Sequence, residues 1–147
     1  MPESSDQRSV DAAHSRPVGV DDATVAALGE LSKALETVHR ARGHLYSMHQ
    51  LIGGADATLD RVVQLLSDAG HHQIAERVQD ELIGRNVLAG RWTFQLVEEF
   101  DDGYYAAFQE IERAARDELA GGRRHIHEAE MKQSRRTAGR PGHEATP

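Results

Sequence analysis

Two stretches of the chain hold side chains whose types and spacing could do chemistry. The first is His39, Arg42, Tyr46 and His49, which fall within about 80° of one another on a helix at 100° per residue. The second is RWTFQLVEEFDDGYY, Arg91 to Tyr105, with five of the chain's seven aromatic residues and the acids Glu98, Glu99, Asp101 and Asp102. On one helix, Phe94, Glu98, Asp101 and Tyr105 form a stripe that mixes aromatic bodies with carboxylates. An arginine among apolar neighbours needs a carboxylate, because an unpaired buried charge is costly. Counting equal steps down two antiparallel helices, with Ile52 level with Trp92, brings Glu98 beside Tyr46 and Asp101 within reach of Arg42. A set made of Arg42, Tyr46, His49, Glu98, Asp101 and Tyr105, with His39 beside it, would suit a small anion or a metal, or would form a closed polar network that fixes helix pairing.

A second candidate set is Glu36, His39, His71 and His72, residue types that ligate zinc or iron. It requires the His71–His72 turn to fold back to the level of Glu36. A third is the connection GRNVLAGR, where Arg85 and Arg91 next to free backbone N–H groups at a helix start would attract an anion. The plainer expectation there is that the arginines pair with Asp56 or Asp60. No nucleophile–base arrangement can be assembled from Ser or Thr, so acyl transfer is unsupported and an enzyme is the less expected class.

The elements that must position these residues read as all-α. Asp21–Asp22 can cap a long first helix, along which Leu28, Leu31, Leu35, Val38, Arg42, Leu45, His49 and Ile52 recur in steps of three and four. Gly53–Gly54 are expected to end it. A short helix from Asp56 or Thr58 to Ala69 follows, facing inward with Leu59, Val62, Val63, Leu65 and Leu66. Another short helix, about 73–83, precedes a long one over about 91–120, with Thr93, Leu96, Val97, Phe100, Tyr104, Ala107 and Ile111 as its core face. The expectation is therefore an antiparallel four-helix bundle, long, short, short, long, over residues 21–120, with a disordered tail at 1–20 and a basic, mostly disordered one at 121–147, where Arg123 to Glu128 form a short amphipathic extension or a flexible arm. In that arrangement Leu28, Leu31 and Leu35 with Ile111, Ala115 and Leu119 protrude as a two-helix antenna, which a second copy would cover.

Composition narrows the functional classes. Cysteine is absent, which excludes disulfides, thiol nucleophiles and cysteine-ligated metals. Of the net charge of −7, residues 1–120 carry 11 basic and 21 acidic side chains, and residues 121–147 carry 6 and 3. The acidic body disfavours nucleic acid. There is no apolar run of membrane-spanning length and no signal-like N-terminus, so the expected location is cytoplasmic. The expected partner is a second copy, with another protein possible. No cofactor is expected on the first reading, and a divalent metal such as zinc or iron is the alternative, in a metal- or anion-binding protein that could act as a hydrolase.

Three resemblances bear on this. Glu36-Thr-Val-His39 is similar to the Glu-x-x-His element of ferritin-like carboxylate sites, yet with 13 Glu and 9 His in 147 residues about one such element arises by chance. Glu98-Glu99-Phe100-Asp101-Asp102 resembles the acidic helix of all-α nucleotide pyrophosphatases, but Asp102 replaces their last Glu and no later Glu-x-x-Asp follows. GRNVLAGRWTFQLVEEFDDGYY, Gly84 to Tyr105, resembles a motif of uncharacterised helical proteins of actinobacteria, in keeping with two lysines against fifteen arginines. That resemblance implies no activity.

Overall fold

The computed structural model describes residues 10–146, and among these it is helical with no strand, apart from a single bridge between Leu88 and Arg91. The expectations for residues 1–9 and 147 lie outside the described residues. No helix among the described residues is long and apolar enough to cross a membrane.

Helix α1 runs from Asp22 to Asp68, 47 residues. Asp21 caps it, its Oδ1 accepting the Thr24 N–H at 2.8 Å. Those hydrogen bonds also hold the Asp21 carboxyl below its ordinary pKa. Gly53–Gly54 do not end the helix. The phase of the leucine seam continues through them to Asp56, Leu59, Val63 and Leu66, all half-buried. Two interior glycines cost about 1 kcal/mol each, which packing along an uninterrupted seam outweighs. The end comes at Gly70, at φ +85, where Gly70 N–H bonds to the Ser67 carbonyl and His71 N–H to that of Leu66. The separate helix expected over Asp56 to Ala69 is therefore the second half of α1, and the short-helix hairpin does not form.

Helix α2 covers His72–Glu81 and buries Ala75. The connection to α3 makes a tight turn at Leu88–Arg91 with Gly90 at φ +71. Helix α3 spans Thr93–Phe100; Gln95 Oε1 accepts the Trp92 N–H at 2.8 Å and so satisfies its start. A π-helical turn, Asp101–Tyr105, joins α3 to α4, Ala106–Ala120, the Ala106 N–H reaching back five residues to the Asp101 carbonyl. Gly121 and Gly122, both at positive φ, close α4.

The π turn corrects the expected core face. It uses one residue more than an α turn, so Tyr104, Ala107 and Ile111 turn outward, Ile111 to 64% exposure. Tyr105, Phe108 and Glu112 turn inward instead.

The chain divides into two compact units, one of residues up to Thr37 together with those from Ala107 onward, the other Val38–Ala106. In the first, the ends of the chain close over a small core of Val25, Ala120 and Ile126, with Val20 and Leu28 against it. Ile126 opens helix α5, Ile126–Arg135, which is longer than the short amphipathic extension that the sequence offers as one of two expectations for this segment. Arg16 binds Glu130 through two hydrogen bonds of 2.9 and 3.1 Å and Asp22 at 2.7 Å, and Arg123 donates to the Ser15 carbonyl at 2.6 Å. Glu130 first and Asp22 second raise the Arg16 pKa. Leu35 is buried in this unit, and Leu28 and Leu31 are half-buried. Part of the expected antenna is thus covered by the chain's own ends.

Candidate functional site

The polar residues singled out on α1 and α3 lie in the unit Val38–Ala106. The Arg42 guanidinium meets the Asp101 carboxylate side-on, Nε to Oδ1 and Nη2 to Oδ2, both 2.9 Å. This two-bond fork is the strongest geometry available to the pair, and it is the pairing expected from the sequence. Arg42 also lies over the Tyr46 ring, 5.3 Å from its centre. His49 Nδ1 and Thr93 Oγ1 share a hydrogen bond of 2.7 Å, and the Tyr46 and His49 rings meet edge-on. His39 Nδ1 and the Tyr105 hydroxyl also share a hydrogen bond, and Phe100 stacks on Tyr105.

The spacing of these contacts shows what the π turn does. From His39 to Arg42 α1 advances three residues, while the opposite segment takes four, Asp101 to Tyr105. Both ends of the π turn are thus tied to α1, Asp101 through Arg42 and Tyr105 through His39. Glu98, the other expected partner of Arg42, is exposed and outside this ladder. The sequence pattern places Thr93 and Phe100 simply in the core, whereas in the structure they also join the ladder, Thr93 through His49 and Phe100 through Tyr105. The one available signal was that Thr93 shares a face with Val97 and Phe100.

The ladder is half-open to water, since the Arg42 and Asp101 side chains are 33% and 31% exposed. Hydrogen bonds from Arg42 hold the Asp101 carboxyl below the usual aspartate range, and the same pairing raises the Arg42 pKa. A depressed carboxyl pKa contributes stability that is fully present above the ordinary aspartate range, about pH 4, and is lost as pH falls through the folded value. Thermal melts from pH 6 down to pH 2 are expected to show this acid-linked loss in the unsubstituted protein. It should be smaller in Arg42→Leu/Asp101→Leu, a double variant that keeps its fold because both partners go together. If the double variant melts with the same acid dependence, the pair does not supply it.

The other two candidate sets are not assembled. Because α1 is continuous, His71 follows its end while His39 lies about 45 Å back along the helix axis. Glu36, His39, His71 and His72 therefore cannot share an ion within the chain, and among the described residues no group of three or more His, Asp or Glu converges as a metal-binding set. Arg91 pairs with Glu99 at 2.8 Å and donates to the Gly90 carbonyl, while Arg85 donates to the Glu81 carbonyl at 3.4 Å. The two guanidinium groups serve separate neighbours rather than one anion. Neither pairs with Asp56, whose Oδ1 instead accepts the Gly84 N–H at 2.9 Å.

What the fold and its polar ladder define is an all-α chain with a paired, partly hydrated network between helices. Compared with protein-family models, with curated proteins and with solved structures, the chain matches none.

Proposed function

We propose that this protein is an interaction module, an antiparallel helical bundle that associates with a second copy of itself, and that the ladder fixes the register of its helices rather than holding a ligand. The observation that carries this reading is the apolar surface of the unit Val38–Ala106. Eleven of its large apolar side chains are exposed, from Tyr46 to Tyr104, whereas only Ala75 and Val97 are buried apolar residues there. Exposed apolar side chains are ordinary singly, but a helical unit with so little inside gains stability mainly by covering them. The falling order of partners, Tyr105, Asp101 and Thr93 for His39, Arg42 and His49, supports the antiparallel pairing. Each of these side chains already has a partner, which leaves few donors or acceptors for a ligand.

The test is light scattering or sedimentation from about 1 to about 200 µM, the range in which weak and moderate self-association is read. Self-association predicts an average mass that rises toward twice 16.2 kDa. A mass fixed at one chain throughout would end this reading.

A further inference from the structure

Helix α5 is held to its unit by few contacts. Ile126 is buried with Val25 and Ala120, Glu130 takes two hydrogen bonds from Arg16, and His127 lies over Gly29 of α1. A Cβ on Gly29 would stand 3.0 Å from that of His127, so the bare backbone of Gly29 is what lets α5 sit so close. The other flank of α5 is not filled. A cavity of about 460 Å³ opens between it and residues 10–14, with His14, Glu128, Ala129 and Lys132 in its lining. The connection into α5 is short and bent back. Only residues 121–125 separate it from α4, and three of them have positive φ, Gly121 at +60, Gly122 at +76 and His125 at +58. Glycine adopts that backbone freely, whereas a histidine is strained by it, and His125 is the one non-glycine residue at positive φ among the described residues. Its side chain makes no capping bond to α5 that would offset the strain.

We propose that two copies associate by exchanging α5, the helix of each chain seating on α1 and α4 of the other. The proposal rests on the self-association reading and adds how the copies are joined. The occupant follows from the seat itself. When α5 leaves, Val25 and Ala120, now 4% and 1% exposed, meet water, and the surface uncovered is shaped for Ile126 and for His127 over a bare Gly29. A second α5 restores all of these contacts, the Arg16–Glu130 pair included, because it is the same segment. In the exchanged pair the contacts of α5 are therefore unchanged, and only the hinge differs. There His125 leaves the left-handed region in both chains, and a short hinge under strain is the feature that favours exchange. The contact given up on opening, from Arg123 to the Ser15 carbonyl, is exposed, and water replaces it at little cost.

The hinge sets the balance. Closure within one chain draws on an effective concentration on the order of millimolar for a short link, so exchange grows with protein concentration. Two hinge positions should push it opposite ways. His125→Gly relieves the closed form at both hinges of a dimer and is expected to weaken dimerisation about tenfold or more. Gly121 has open space for a side chain but φ +60, so Gly121→Val strains the closed turn alone and is expected to strengthen dimerisation about tenfold or more. A change that merely loosened the fold would not move the two in opposite directions.

The experiment reads where α5 sits in the dimer. The chain has no cysteine of its own, so Gly29→Cys/His127→Cys supplies a single reporter pair, whose Cβ separation of 3.0 Å needs a shift of about half an ångström to reach disulfide geometry. The full chain carrying this pair is purified under reductant, its dimer fraction is isolated by gel filtration at about 200 µM, and that fraction is mildly oxidised. Denaturing electrophoresis without reductant is expected to show two chains covalently linked. A dimer fraction whose disulfides all lie within single chains overturns the exchange while self-association stands. Sedimentation of His125→Gly and Gly121→Val gives a second reading independent of the cysteine pair, and a dissociation constant unmoved in both also overturns the exchange. If the unsubstituted chain is monomeric at about 200 µM, self-association itself fails and this proposal with it.

Discussion

Glu112→Leu is expected to lower the free energy of unfolding by about 3 kcal/mol, the lower end of the cost of breaking a buried ion pair. The substitution strands Arg116. The two side chains are only 12% and 13% exposed, and Glu112 offers the Arg116 guanidinium its carboxylate at 3.3–3.4 Å. Ser32 also donates to Glu112, at 3.3 Å, and would lose its acceptor. These distances are long and the Arg116 Nε lacks a well-aligned hydrogen bond, which is why the lower end of the range applies. The double variant Glu112→Leu/Arg116→Met is expected to recover most of the loss or exceed the original stability, since apolar groups can replace both members of a buried pair. Urea unfolding of the four proteins of this cycle, with m-values compared, measures it. A single variant within about 0.5 kcal/mol of the original, the range of an ordinary surface change, would place Glu112 outside the packed region.

The second large effect separates two isoleucines. Ile126→Ala is expected to cost about 2–4 kcal/mol, the range for truncating a buried Ile, because Ile126 is 5% exposed and lies with Val25 and Ala120 where α5 meets the rest of its unit. Ile111→Ala, at a position that the sequence alone assigns to the core, is expected to stay within about 0.5 kcal/mol. Limited trypsin digestion gives a second readout, since Arg123 and Arg124 immediately precede α5 and should be cut faster when it detaches. Equal losses for the two variants would mean that the helix does not change phase between Asp101 and Tyr105.

That phase change marks where sequence reasoning ran out. Arg42 and Asp101 are legible as partners because each lies on a regular stripe and Asp101 is the first residue of the π turn, so equal counting down two helices holds as far as it. Beyond it, a fixed 100° per residue assigns Tyr104 and Ile111 inward, and no residue type in Asp-Asp-Gly-Tyr-Tyr announces an extra residue in the turn. The continuity of α1 was legible in principle. Asp56, Leu59, Val63 and Leu66 keep the same phase as Leu45 and His49, but Gly53–Gly54 carry a strong local stop signal that competes with the longer periodicity. Helix α5 is only partly legible for a different reason: a short amphipathic extension can be read there, but its single buried side chain, Ile126, packs with Val25 about 100 positions earlier as well as with Ala120, and short-range composition carries no trace of the distant contact. The metal set built on His71 and His72 failed along with the assumed helix stop, since it depended on the chain folding back there.

The division of the chain has a consequence for the order in which it folds during synthesis. The unit Val38–Ala106 is contiguous and complete once Ala106 has left the ribosome, while the other is made from both ends of the chain and lacks Ile126 until nearly the last helix is made. Joining distant ends directly would incur the closure entropy of a long loop, which rises with the logarithm of its length. If the contiguous unit forms first, with His39 and Tyr105 already paired, the loop left to close for the other unit is short. Folding from the middle outward, with the ends last, is the sequence of events this division favours.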